Sequence, residues 1–452
     1  MYLFIILICR LHSFNLPLKL IFNDPTFSSL LLRTIAETYY KAADVGECLA
    51  TAYRIKEGDF ESWYDEWIKT AKRIHNYAKA CISGGHLKSA NEAFLRASNY
   101  YRTAGFLLIE PADPRFHASI ELSKECFRNA ISTFTFKVES VEIPYEGTIL
   151  PGYFYHLEIQ NTTYKNMERT GDPDQKGSDK CNRKLDIQSS NNFPTLIVHG
   201  GFDSILEELY SYGAAPALDR GYNCLTFEGP GQGEVIRKQK IPFRYDWEKV
   251  VTPVFDFMAS KSKEFNIDLE RVVLMGISMG GYLAARATAF EPRISACVLY
   301  DGVYDGYDAI KSGLPKPLLD AIEAGNSQFV NATFTDLMKS DPNVKFNMKH
   351  GMWTTGTNSP YELITGAKKY STKDILNYIK CPTLVLEGEK DDSFPGQPKK
   401  VYEGLTSLEP SSKKYIVFTQ EEGGEEHCQC GVPAITNQRI FDWLDEILRN
   451  KS

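Results

Sequence analysis

Val272-Val273-Leu274-Met275-Gly276-Ile277-Ser278-Met279-Gly280-Gly281-Tyr282-Leu283-Ala284-Ala285 joins an apolar run of strand length to a helical pattern through glycines that surround one serine. A turn this tight between strand and helix needs neighbours with almost no side chain. It holds the serine in a strained conformation that lifts the hydroxyl above the sheet. The N-terminus of the following helix favours negative charge developing there. Ser278 is therefore the candidate nucleophile, and the pattern G-x-S-x-G gains its weight from the strand before it and the helix after it.

Outward from that turn, short apolar runs recur at Thr195–Val198, Cys224–Phe227, Ala296–Tyr300, Thr383–Leu386 and Tyr415–Phe418, separated by helical patterns. Runs of this kind alternating with helices imply an α/β fold with a mostly parallel central sheet covered on both faces. Two further strands, Val141–Tyr145 and Leu150–Tyr155, are joined by a turn at Glu146-Gly147. Between Tyr300 and Thr383 the alternation lapses into some 70 helical residues, too many for one crossover, and reads as an inserted cap.

Before residue 135 the chain reads as helices. Phe60, Trp63, Tyr64, Trp67, Ile68, Ala71 and Ile74 form one amphipathic stripe, with Asp59 as N-cap and Gly84-Gly85 as the stop. A second helix carries Ala90, Phe94, Ala97 and Tyr101, and a third starts near Asp113-Pro114. The expected organisation is a helical region at 1–135, an α/β core at 136–302 and 376–452, and a helical insertion at 303–375. Inside the core, 163–192 is a polar surface insertion of low apolar content. The aromatics Trp63, Trp67 and Trp353 either line a substrate pocket or, as large aromatics commonly do, pack in the core.

A serine nucleophile needs a base and an acid, and in a sheet of this type they follow it in the order acid, then histidine. Strand Thr383–Leu386 runs into Glu387-Gly388-Glu389-Lys390-Asp391-Asp392, and strand Tyr415–Phe418 runs into the loop that ends in His427. Of eight histidines, His427 alone lies beyond Asp391. Active sites of open parallel sheets lie at the C-terminal strand ends, so the three groups converge there. Asp391 is the first candidate for the acid; Asp392 and Asp301, the latter just after strand Ala296–Tyr300, are the alternatives that geometry decides between. The oxyanion needs two N–H donors: Met279, next to the nucleophile, and either Gly201 or Phe202 in the loop His199-Gly200-Gly201-Phe202. His199 reads as structural.

Other signals point away from other chemistries. The net charge is −7, with no long basic block, which argues against nucleic acid. Gly229-Pro230-Gly231-Gln232-Gly233 lacks the Lys-Ser/Thr of a phosphate loop and the glycine spacing of a dinucleotide site. The ten cysteines include no CxxC pair, and the Cys428/Cys430 pair has no companion ligands at metal-binding spacing. No metal or cofactor is implied, and the thiols read as reduced and buried. The apolar run Leu3–Cys9 is far below the ~20 residues that span a bilayer. It also makes a poor signal peptide. A cytoplasmic location is the expectation, with secretion or an anchor left open by that run and by the glycosylation-type triplets at Asn161 and Asn331.

Together these stretches resemble the α/β-hydrolase superfamily, in the branch of the 2,6-dihydroxypseudooxynicotine hydrolase and the fungal polyketide-pathway hydrolases. The residues that carry the resemblance are His199–Ser204, Glu228–Gly233, Gly276–Gly281, Phe394-Pro395-Gly396-Gln397-Pro398 and Glu426-His427-Cys428-Gln429, with Asp59–Trp67 and Ala97–Phe106 in the helical region. Asp392-Ser393 after the acid departs from many relatives. The resemblance implies an α/β-hydrolase fold, with Ser278, Asp391 and His427 in the triad positions and the N-terminal helices as a cap closing over substrate. It also implies cleavage of esters or of C–C bonds next to carbonyls, in secondary metabolism. The expected partner is a small acyl or diketone-like molecule; a homodimer is compatible with the sequence. Two competing readings are a cyclase or condensation catalyst without net hydrolysis, and a hydrolase-fold binding protein without turnover.

Overall fold

The computed structural model describes residues 20–157 and 192–449. The apolar run at Leu3–Cys9, the Asn161 triplet and all but the last residue of the polar insertion fall outside them.

Five helices come first: α1 Pro25–Ala36, α2 Val45–Ala52, α3 Phe60–Ser83, α4 Leu87–Gly105 and α5 Pro114–Ile131. Their starts follow local capping chemistry. The Asp59 carboxylate accepts the N–H groups of Glu61 and Ser62 at 3.1 Å each, and Asp113 accepts that of Arg115 at 2.9 Å with Pro114 in the first turn. Each bond satisfies a donor with no partner inside its helix. Trp63 and Trp67 are completely buried, and the Trp63 indole N–H donates to the Thr103 carbonyl at 2.8 Å. These rings pack between helices, as the core alternative held.

Eight strands follow: β1 Val138–Tyr145, β2 Thr148–Tyr155, β3 Phe193–His199, β4 Asn223–Phe227, β5 Ile267–Ile277, β6 Ala296–Tyr300, β7 Thr383–Gly388 and β8 Lys413–Phe418. They form one sheet in the order β1-β2-β4-β3-β5-β6-β7-β8. Only β2 runs against the others. The β1–β2 hairpin turns through Glu146 and Gly147, both at positive φ, the two-residue turn that matches strand twist.

The central strands are continuous apolar runs because both faces are covered. Leu196, Val198, Val273, Met275, Val298 and Leu384 join one core with the N-terminal helices. The alternate residues Ile197, Leu274, Leu299 and Val385 join a second core on the other face. That is the period-two alternation of a strand. Between β3 and β6 lie α6 Ala215–Leu218, α7 Glu248–Ser260 and α8 Gly280–Phe290. From β6 to β7 the chain makes α9 Gly306–Lys311, α10 Lys316–Glu323, α11 Ser327–Ser340, α12 Pro342–Thr355 and α13 Pro360–Gly366. These five have a small core of their own, including Ile310, Leu318, Val330, Phe334 and Ile364. Helices α14 Gln397–Gly404 and α15 Pro433–Arg449 complete the chain.

Strand β5 extends beyond the run seen in the sequence, through Gly276 and Ile277, because Gly276 and Ile277 pair with Leu299 and Tyr300 of β6. The C-terminal ends of β3, β5, β6, β7 and β8 thus stand side by side along one edge. Every candidate site residue lies on the loop leaving one of them.

Candidate active site

Ser278 sits at φ 64, a left-handed conformation rare for a residue with a side chain. Its N–H donates to the Tyr300 carbonyl at 2.8 Å and its carbonyl accepts from Gly281 N–H at 2.8 Å, which pins the turn at both ends. The glycines are there for space. A Cβ on Gly276 would come within 2.0 Å of the Gly280 carbonyl oxygen, and one on Gly281 within 1.9 Å of the Asp301 carbonyl oxygen.

The half-buried Ser278 hydroxyl lies 2.8 Å from His427 Nε2, and His427 Nδ1 lies 2.9 Å from Asp391 Oδ2. With Nδ1–H donating to the carboxylate, Nε2 is left to accept the serine proton. The other oxygen of Asp391 accepts the N–H groups of Ser393 and Phe394 at 2.7 and 3.2 Å. Asp301 is also brought to the histidine, its Oδ2 standing 3.1 Å from Nδ1. Asp392 lies beside them, half-buried, but its carboxylate turns to the Ser393 hydroxyl at 3.5 Å. Burial works against the imidazolium, yet the charges of Asp391 and Asp301 outweigh it and push His427 up to about 9. Burial, with the Asp391 charge, pushes Asp392 up to about 7.

The N–H groups of Met279, Gly201 and Phe202 have no hydrogen-bond acceptor among the described residues. A Cβ placed on Gly201 would lie 2.9 Å from Met279 N and 3.0 Å from Ser278 Cβ. The nearest atom is the Ile277 carbonyl oxygen at 2.8 Å, so only a glycine lets this loop lie so close to the serine turn. Gln232 holds this loop: its amide nitrogen donates to the carbonyls of Gly200 and Gly201 at 2.7 and 3.0 Å, while its oxygen accepts Gly229 N–H at 2.9 Å. The glycine-rich turn at 229–233 thus serves the neighbouring loop. His199 is fully buried, with Nδ1 3.1 Å from the Gly200 carbonyl, and burial pushes it down to about 4.

The profile of the Alpha/beta hydrolase family matches residues 195–424. The chain is 35% identical over 436 residues to Hydrolase LUC6 of Fusarium sp, spanning 94% of this chain and 97% of that protein. The chain belongs to the alpha/beta hydrolase family. This hydrolase is also 36% identical to Hydrolase acrC of Aspergillus aculeatus, over 92% of this chain and 95% of the relative. To the 20-hydroxy-prefusarin hydrolase FUS2 of Gibberella moniliformis it is 35% identical, over 94% and 97%. Among solved structures it is similar to the 2,6-dihydroxy-pseudo-oxynicotine hydrolase, with a TM-score of 0.67 at 21% identity, covering 92% of this chain and 97% of that one. That likeness is one of fold.

Two spaces adjoin the loops that carry Ser278 and Gly201 in this hydrolase. One, of about 40 Å³, is lined by Ser278, His427, Gly201, Arg33 and Tyr212. The other, of about 300 Å³, is lined by the next residue along each loop, Met279 and Phe202, and by Phe243, Tyr282, Tyr370 and Leu363. Arg33 reaches the first space from α1, where no sequence motif singled it out. Its guanidinium donates twice to Glu208, at 2.6 Å each, and once to Asp203 at 3.1 Å. Arg102 of α4 adds contacts at 3.0 Å to Glu37 and 3.3 Å to Glu208. Burial pushes the Glu37 carboxyl up to about 8 against the pull of Arg102. Two guanidinium groups thus face three carboxyl groups in this buried cluster.

Among the described residues one group could offer a metal three ligand atoms, Asp301, His427 and Cys428, all within 4.8 Å of one another. His427 already hydrogen-bonds Asp391 and Ser278, and Asp301 accepts from the Cys428 N–H and the Gln429 amide. The eight described cysteines are free thiols, seven of them buried. No described helix is long and apolar enough to cross a membrane.

Proposed function

We propose that this protein is a serine hydrolase acting on a small carbonyl substrate, an ester or a C–C bond next to a carbonyl. The observation that carries the reading is the unbroken hydrogen-bonded line from Ser278 Oγ to His427 Nε2 to Asp391, set on a serine at positive φ.

In this reading Ser278 Oγ attacks the carbonyl carbon as its proton passes to His427 Nε2. Asp391 holds the imidazole in the required tautomer and stabilises the imidazolium. The oxyanion is held by the Met279 N–H and that of Gly201 or Phe202. The imidazolium then protonates the departing group, an alcohol oxygen or, for a diketone-like substrate, an enolate carbon. Water, activated by the same histidine, releases the acyl group and restores the hydroxyl.

The cavity of about 300 Å³ supports a substrate with an apolar, ring-bearing portion, because Phe202, Phe243, Tyr245, Tyr282 and Tyr370 are among its lining residues. The name of the relative that acts on 20-hydroxy-prefusarin supports a small-molecule substrate. A fluorophosphonate probe tests the proposal. Wild type is labelled with its histidine intact, and Ser278→Ala is not; a folded wild type that resists the probe refutes it.

A further inference from the structure

Two carboxylates converge on one ring nitrogen of His427, and the second has no place in a three-residue relay. Asp301 stands at the end of β6 at φ 72 and is completely buried. Its Oδ2 lies 3.1 Å from His427 Nδ1 and accepts the Cys428 N–H at 2.7 Å. Its Oδ1 accepts the Gln429 amide at 2.9 Å. Both Cys428 and Gln429 are at positive φ, so the chain is bent against its preference to bring the histidine and these donors around one carboxylate. A carboxylate needed only to cap that turn would be satisfied by the two donors. The approach to Nδ1 goes beyond that.

Charge gives the approach a purpose. A buried anion is costly unless a cation faces it. His427 is faced by Asp391 and Asp392 from the loop after β7, by Asp301 from β6, by Ser278 from β5 and by the Cys428 thiol beside it. Asp301 is faced also by the Tyr300 phenol and the Cys430 thiol, which burial pushes up and keeps neutral. The nearby Arg33 guanidinium is neutralised by Glu208 and Asp203. From the base form of His427, the one cation this cluster generates is the imidazolium, formed as Ser278 gives up its proton. An interaction that strengthens only then lowers the barrier.

We propose that Asp301 is a second orienting carboxylate for His427, its charge held beside Nδ1 while Asp391 accepts the Nδ1–H, and that it stabilises the imidazolium formed during attack. It is a positioning residue, and the inference rests on the reading of Ser278 as nucleophile. The step moves one proton from Oγ to Nε2 as the Oγ–C bond forms and the carbonyl π pair moves onto oxygen; both carboxylates stay ionised.

The test is p-nitrophenyl acetate hydrolysis by the full chain across pH, with active enzyme counted by fluorophosphonate labelling. In Asp301→Asn one negative charge leaves the imidazole, so the rising limb of kcat/KM is expected to move to lower pH by about one unit, with a plateau about 10–100-fold lower. A role confined to holding the loop would lower yield or melting temperature without moving that limb. In Asp391→Asn, Asp301 remains 3.1 Å from Nδ1, so the loss is expected to stay well short of the ~10⁴-fold seen when a sole orienting aspartate is replaced. The double variant falls to that level. An unmoved limb in Asp301→Asn overturns the inference; so does an Asp391→Asn loss equal to that of the double variant, which also decides the matter should Asp301→Asn not fold. Labelling that does not depend on Ser278 refutes the nucleophile assignment instead.

Discussion

Gly201 shows how much one absent methyl group can matter. A methyl there would meet the Ile277 carbonyl and Met279 N at 2.8 and 2.9 Å, so Gly201→Ala should push the loop with the candidate oxyanion donors away from the serine. The expected loss in kcat is about 10²–10³-fold, comparable with deleting one donor, with circular dichroism unchanged; an active Gly201→Ala enzyme would move the oxyanion elsewhere. His427 sets the response to pH. Its proton is held above the ordinary histidine range, so the base form appears only as pH climbs. Ester hydrolysis should rise through neutrality and level off on the alkaline side, and a profile flat from pH 6 upward would contradict the shift. The sign for stability is opposite. A raised histidine favours the folded state fully below about 6.5, and that contribution fades as pH passes about 9.

Helix caps and strand ends were the most legible features of the chain. Asp59, Gly84-Gly85 and Asp113-Pro114 announce their helix termini through chemistry local to a few residues. Asp59→Ala is accordingly expected to cost about 1 kcal/mol, read as a lower urea midpoint with unchanged specific activity, because α3 lies away from the serine. The apolar runs gave all eight strands, and chain order put Ser278, Asp391 and His427 at strand ends along one edge of the sheet. What remained hidden depends on contacts between distant segments. Asp391 and Asp301 both follow strands, and no spacing tells that both reach one imidazole. Gln232 lies in a turn whose glycines advertise its backbone, while its amide serves a loop on another strand. Arg33 looks like any helix arginine until α1 is packed over Glu208.

The α1–α5 helices and the sheet share one continuous core, and the cluster of Arg33, Arg102, Glu208 and Asp203 spans their junction. Arg102, Glu37 and Glu208 are each exposed by no more than 4%. Removing one partner of such a buried set leaves uncompensated charge. Arg33→Met is expected to cost about 3–5 kcal/mol in chemical denaturation, with little relief from added salt because the charges are shielded from solvent; a variant as stable as wild type would show that the pairs contribute nothing. The cluster also governs which parts of the molecule are free to swing. Lifting α1 from the Ser278 rim would pull the guanidinium off two carboxylates in a dry setting. The α9–α13 helices carry a separate core and bear one wall of the larger cavity. Breathing motions that admit a ligand should therefore come more readily from that side, leaving the arginine-bound wall as the stationary jaw.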